Sequence, residues 1–125
     1  MNDIESEFKN WIQRIDSANP QIQNIKAFNF GLFEVKGGFS AYLIGSAVYD
    51  EKDDDWACQV DFTPSEKYFE LPGYYTDGKE WFEVQNNFKN VIETFIKSDD
   101  FKNSFLSKVE IITIGFDDGD LEKII

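Results

Sequence analysis

The stretch IKAFNFGLFEVKGGFSAYLIGSAVY, residues 25–49, decides the fold. Phe28, Phe30 and Leu32 recur at every second position, the period of a strand with one buried face, and Lys36-Gly37-Gly38 is a hairpin turn sequence. Phe39 to Tyr49 reads as the returning strand; its alternation is imperfect at Ala41, Leu43 and Val48, and Gly45 suggests a bulge. An antiparallel hairpin is therefore the nucleus from which the rest is placed.

Downstream, Trp56, Cys58, Val60 and Phe62 alternate with small or polar residues, so 56–62 reads as a third strand closed by Pro64. An aromatic loop follows, 65–78, with a short strand near Tyr68 to Leu71, and Tyr74 and Tyr75 within it. Upstream, Ile4, Phe8, Trp11, Ile12 and Ile15 form one stripe at helical spacing, with acids in the first turn where the helix dipole favours them. Trp81, Val84, Phe88, Val91, Ile92, Phe95 and Ile96 make a second, longer helix, with Asp77 or Gly78 near its N-cap. Ser98 can cap a short helix carrying Phe101, Phe105 and Leu106; residues 109–116 read as a buried strand, 117–120 as a tight turn and 121–125 as a closing strand. This order predicts one α+β domain over 1–125: an antiparallel sheet of about five strands, with the N-terminal and long central helices packed on one face.

Length agrees with a single core. For 125 residues, area scaling gives ~6,900 Å² exposed when folded against ~21,000 Å² unfolded, enough burial to dispense with staples. Hydrophobic residues at 42% and aromatics at 17% exclude a disordered chain, and the even spread of charge excludes a membrane span.

The charge decides which functions remain open. Eleven lysines and one arginine stand against 24 acids, a net charge of −12, so a nucleic-acid backbone is a poor ligand and a basic protein the better partner. The chain has no histidine, which removes a histidine base, a Ser-His-Asp triad and any Cys/His zinc site. Its one cysteine, Cys58, cannot form an internal disulfide and is expected to be a buried small hydrophobe. The N-terminus lacks the basic flank and apolar run of a signal peptide, and a cytoplasmic location follows as the expectation.

Acids concentrate in Tyr49-Asp50-Glu51-Lys52-Asp53-Asp54-Asp55-Trp56, five carboxylates in six positions. Such a cluster must be solvated or opposite cations. A solvated loop that protects a sheet edge accounts for it without function. A calcium loop does not fit well, since an EF-hand pattern begun at Asp50 meets Lys52 at its third place and Asp55 where glycine belongs. A protein-binding surface fits better: the carboxylates steer a basic partner, and Tyr49 and Trp56 offer aromatic anchors, although core packing is the simpler role for Trp56. Asp117, Asp118, Asp120 and Glu122 surround a second turn. With Asp61, the two segments hold 10 of the 24 acids, and if the turns are neighbours they make one negative face.

YLIGSAVYDEKDDDWACQVDFTP, 42–64, and ITIGFDDGDL, 112–121, resemble small proteins of bacterial polymorphic and contact-dependent toxin systems, many of which are immunity proteins. The resemblance covers about a quarter of the chain and implies neutralisation of a cognate toxin in the cytoplasm by binding, with no enzymatic chemistry and no cofactor. The expected site is Tyr49, Asp50, Glu51, Asp53, Asp54, Asp55, Trp56, Asp117, Asp118 and Asp120, with a basic protein such as a toxin domain as partner. The alternative is a carboxylate-based metal-binding protein or small hydrolase using the 50–55 loop.

Overall fold

The computed structural model describes residues 3–19, 22–117 and 119–125. Helix α1 (Ile4–Ala18) precedes the hairpin β1 (Ala27–Val35) and β2 (Gly38–Ser46). A 3-10 turn (Asp54–Cys58), strand β3 (Tyr68–Glu70) and the one-turn helix α2 (Gly73–Thr76) lead to the long helix α3 (Trp81–Ile96). Helix α4 (Asp99–Lys102), a second 3-10 turn (Phe105–Lys108) and strands β4 (Ile111–Phe116) and β5 (Glu122–Lys123) complete the described elements.

The described strands form one sheet in the order β3-β2-β1-β4-β5. Its five strands agree with expectation, but the sheet is mixed. β4 runs parallel to β1, Phe28 beside Ile112 and Phe30 beside Ile114, while the other pairs are antiparallel. The long crossover through α3 is what permits a parallel neighbour, as such pairs need a connection of a dozen residues or more.

Period 2 sends Phe28, Phe30 and Leu32 of β1, Ala41 and Leu43 of β2, and Ile112, Ile114 and Phe116 of β4 to one face, where α1 and α3 cover them. The core there is largely aromatic. Phe8 of α1 meets Trp11, Phe30, Phe69 and Phe88, mostly edge to face, and Trp11 stacks on Phe69 with ring centres 5.0 Å apart. The Trp11 indole donates to the Glu66 carbonyl at 2.8 Å, so this buried ring keeps its polar atom satisfied. Asp3 caps α1 by accepting the Ser6 amide at 2.8 Å, which places the helix start where the acidic first turn predicts.

Several local expectations are corrected. Residues 56–62 are not a strand: Asp53 caps a 3-10 turn over Asp54–Cys58, and only Phe62 reaches the sheet, as an isolated bridge to Gly45. Gly45 sits in regular register opposite Phe28 and not in a bulge; a Cβ there would lie 2.9 Å from the Phe28 ring. Helix α3 begins after Glu80 and not at Asp77 or Gly78, because α2 occupies the preceding stretch. Trp81 starts α3 but is not part of its buried stripe. Cys58 is exposed, since the 3-10 turn uses Trp56 to face inward.

Candidate functional site

The outer face of the sheet, opposite the helices, is covered by the chain between β2 and β3 and by the turn between β4 and β5. Its floor is set by glycine. Tyr42, Gly31 and Gly115 stand side by side across β2, β1 and β4, and a Cβ on Gly31 would lie 2.0 Å from the Tyr42 ring. Tyr42 therefore lies flat across β1, and its hydroxyl donates to an Asp117 carboxylate oxygen at the end of β4. Gly115 does the same for the chain that returns from the turn, where a Cβ would meet the Asp120 carbonyl at 2.8 Å. Beside them, Thr113 donates to the Asn29 side chain at 2.8 Å, one buried polar pair on a matched rung.

The acidic loop stands on this floor and is built by its own carboxylates. Asp61 closes the base by accepting the Ala47 amide at 2.7 Å and the Gln59 side-chain amide at 3.2 Å. Asp50 accepts the Lys52 amide and Asp53 the Asp55 amide, both at 2.9 Å, the side-chain-to-backbone turns that aspartate favours. Trp56 is turned inward, 6% exposed, with Tyr49 edge-on to it at 5.2 Å. The Ser46 hydroxyl, itself buried, donates to the Trp56 carbonyl at 3.3 Å and accepts the Val48 amide.

The two acidic turns are neighbours. Asp54 Oδ2 accepts the Leu121 amide at 2.9 Å, which ties the loop to the segment after Asp120. Asp50, Glu51, Asp53, Asp54, Asp55, Asp117 and Asp120 are exposed, and Asp118 lies outside the described residues. Four ion pairs occur among the described residues: Lys9–Asp100, Arg14–Glu66, Lys89–Glu122 and Lys102–Asp99. Glu122 is thus paired with a cation, whereas none of the other described acids in the two turns is. Lys89 holds the Glu122 carboxyl below its ordinary range through their hydrogen bond.

Unpaired like charges on one face produce a field that reaches into solvent and is screened over ~8 Å at physiological salt. The same carboxylates are poorly placed as metal ligands, because Asp50, Asp53, Asp54 and Asp61 point oxygens at amides. Among the described residues, no group of three acidic or cysteine side chains gathers in a way that could hold a metal ion. Burial, and then the bond to Asp117, push the Tyr42 phenol above its ordinary pKa, so it stays a donor at neutral pH.

Trp56 is structural, and Tyr49 is half-buried beside it. The large aromatics that do face solvent are Tyr68, Tyr74, Trp81 and Phe82, each more than half exposed. Trp81, expected in the buried stripe of the long helix, and Phe82 are adjacent aromatics at a helix start, and both cannot join one inward stripe. Tyr68 borders a hollow of about 300 Å³ on the outer face with Phe33, Tyr42, Val60, Lys67 and Asp117. Lys67 sits 5.3 Å from the centres of both the Tyr42 and Tyr68 rings, a cation–π contact that occupies that hollow from within.

No described helix is long and apolar enough to cross a membrane. Comparison of the chain with protein-family models, curated proteins and solved structures gives no match, so the resemblance at 42–64 and 112–121 rests on those residues alone.

Proposed function

We propose that this protein is an immunity-like binder that neutralises a basic toxin domain in the cytoplasm by occluding it, without catalysis. The observation that carries the reading is the contact between Asp54 and Leu121, which joins two acidic turns into one face whose exposed aspartates have no cation partner among the described residues. A face of that sign speeds encounter with a positive surface and repels nucleic acid and acidic proteins. In this reading Asp50, Glu51, Asp53, Asp54, Asp55, Asp117, Asp118 and Asp120 steer the approach, and Tyr49 and Trp56 support the loop from beneath.

The test is co-expression with the C-terminal domain of a large secreted protein encoded immediately upstream. The chain should restore growth to cells making that domain. Replacing Asp50, Asp53, Asp54 and Asp55 by Asn and Glu51 by Gln keeps side-chain acceptors for the turns while removing five charges. In stopped-flow association at low salt, that variant should bind about tenfold more slowly, and added salt should slow the parent far more than the variant. Failure to protect, or equal and salt-insensitive rates, would remove the proposal.

A further inference from the structure

Beside the acidic face lies a hollow of about 380 Å³ lined by Glu34, Trp81, Phe116, Gly119 and Asp120. Ligand sites span roughly 300–1,000 Å³, so this one is sized for a side chain and not for an extended substrate. Its composition is unlike the rest of the surface. Trp81 is 52% exposed at the first turn of α3, edge-on to Phe116 with ring centres 5.7 Å apart, and Phe82 flanks it at 5.8 Å.

Glu34 is the informative residue. It continues the phase of Phe28, Phe30 and Leu32, so it points to the helix side of β1, where alternation calls for a fourth apolar residue. The sheet there runs past the core, and the carboxylate is exposed next to an aromatic wall. Asp120 supplies a second carboxylate from the acidic turn, and neither acid forms an ion pair among the described residues. A cavity with an open indole and two carboxylates without a cation is complementary to a planar cation.

We propose that this hollow seats an arginine side chain of the protein partner, with the guanidinium against the Trp81 ring and its N–H groups directed to Glu34 and Asp120. Arginine suits it better than lysine because a flat guanidinium both stacks on an indole and donates to two carboxylates at once. This rests on the reading of the partner as a basic protein and adds the residue type it must present. It also supplies the aromatic anchor that buried Trp56 does not.

The experiment titrates the whole chain at low salt with N-acetylarginine amide, and separately with the lysine and citrulline amides, following the three tryptophan indole N–H signals by NMR. Arginine should shift the Trp81 signal saturably and leave those of Trp11 and Trp56 in place. Citrulline, of the same shape without charge, should do nothing, and lysine should bind several-fold more weakly. Glu34→Gln and Asp120→Asn, both at exposed positions, should each weaken arginine about three- to tenfold in a chain whose circular dichroism is unchanged. Equal response to citrulline, no Trp81 shift, or no effect of either amide variant would overturn the seat. The two proposals fail separately. If arginine binds as described and no toxin domain is neutralised, the seat stands and the immunity reading falls. If a toxin domain is neutralised equally well by the parent, Trp81→Ala and Glu34→Gln, the immunity reading stands and the seat falls.

Discussion

Asp54 and Leu121 are separated by 67 positions in the chain and meet across the outer face, where Asp54 Oδ2 accepts the Leu121 amide at 2.9 Å. The acid thus spends one oxygen on structure and keeps its charge at the surface. Asp54→Ala should cost about 0.5–1.5 kcal/mol in urea unfolding and speed exchange of the Leu121 amide, whereas Asp54→Asn should retain most of the stability. Unchanged exchange in Asp54→Ala would show that the tie contributes nothing.

Gly31 and Tyr42 form a lock that can be measured as a pair. Adding a methyl group at Gly31 places it 2.0 Å from the Tyr42 ring, so Gly31→Ala should destabilise by about 1–3 kcal/mol through displaced packing. In a Tyr42→Ala background the same change should be nearly neutral, since the clashing ring is gone. A double-mutant cycle by urea unfolding gives the coupling, and additive costs would mean the ring is free to move aside.

Trp56 and Trp81 should behave as opposites. Trp56→Ala empties a site that is 6% exposed and should cost roughly 3–5 kcal/mol, a loss of roughly 10–20 °C in Tm. Trp81→Ala, half exposed, should stay within roughly 0.5 kcal/mol. Comparable losses at the two positions would contradict the burial that separates support from surface.

The Tyr42 phenol gives the outer face a dependence on alkaline pH. Burial and the bond to Asp117 raise its pKa in the folded state, so its contribution to stability is fully present below the ordinary phenol value of ~10. That contribution is lost as pH rises from there through the folded value. Unfolding followed between pH 8 and 11 should steepen above ~10, and Tyr42→Phe should flatten that limb relative to the parent. Parallel curves for the two proteins would dissociate Tyr42 from the effect.

What the sequence made readable were features with a local cause. The period of Phe28, Phe30 and Leu32, the turn within Lys36-Gly37-Gly38 and the stripe from Ile4 to Ile15 each need only neighbours to be interpreted, and each holds in the structure, the turn residues being Lys36 and Gly37. The 56–62 segment misled because Trp56, Cys58, Val60 and Phe62 mimic a strand while Asp53 caps a 3-10 turn, a choice decided by one side chain. The parallel place of β4 beside β1 was hidden because a hydrophobic run such as 111–116 suits either direction. Proximity of the acidic turns is left open by the sequence, which gives only their charge. Its cause, the glycines at 31 and 115 that let Tyr42 and the return of the chain lie close to the sheet, involves contacts between distant residues that no spacing rule reveals.

The parallel pairing of β4 with β1 gives the acidic face a position in time. The hairpin of β1 and β2 closes across two residues, whereas β4 is reached only through the long crossover that contains α3, and sequence-distant pairings are the slow part of folding. Pulse-labelled amide exchange should accordingly find Gly31 and Ile44, whose amides face the partner strand of the hairpin, protected before Leu121. A chain caught between those two events has its acidic loop and hairpin but not the Asp54 tie, and cannot yet present both turns together. On the proposed binding role, readiness depends on β4 staying in the sheet, so the half-life of β4 there sets an upper limit on how long an unbound molecule can present both turns.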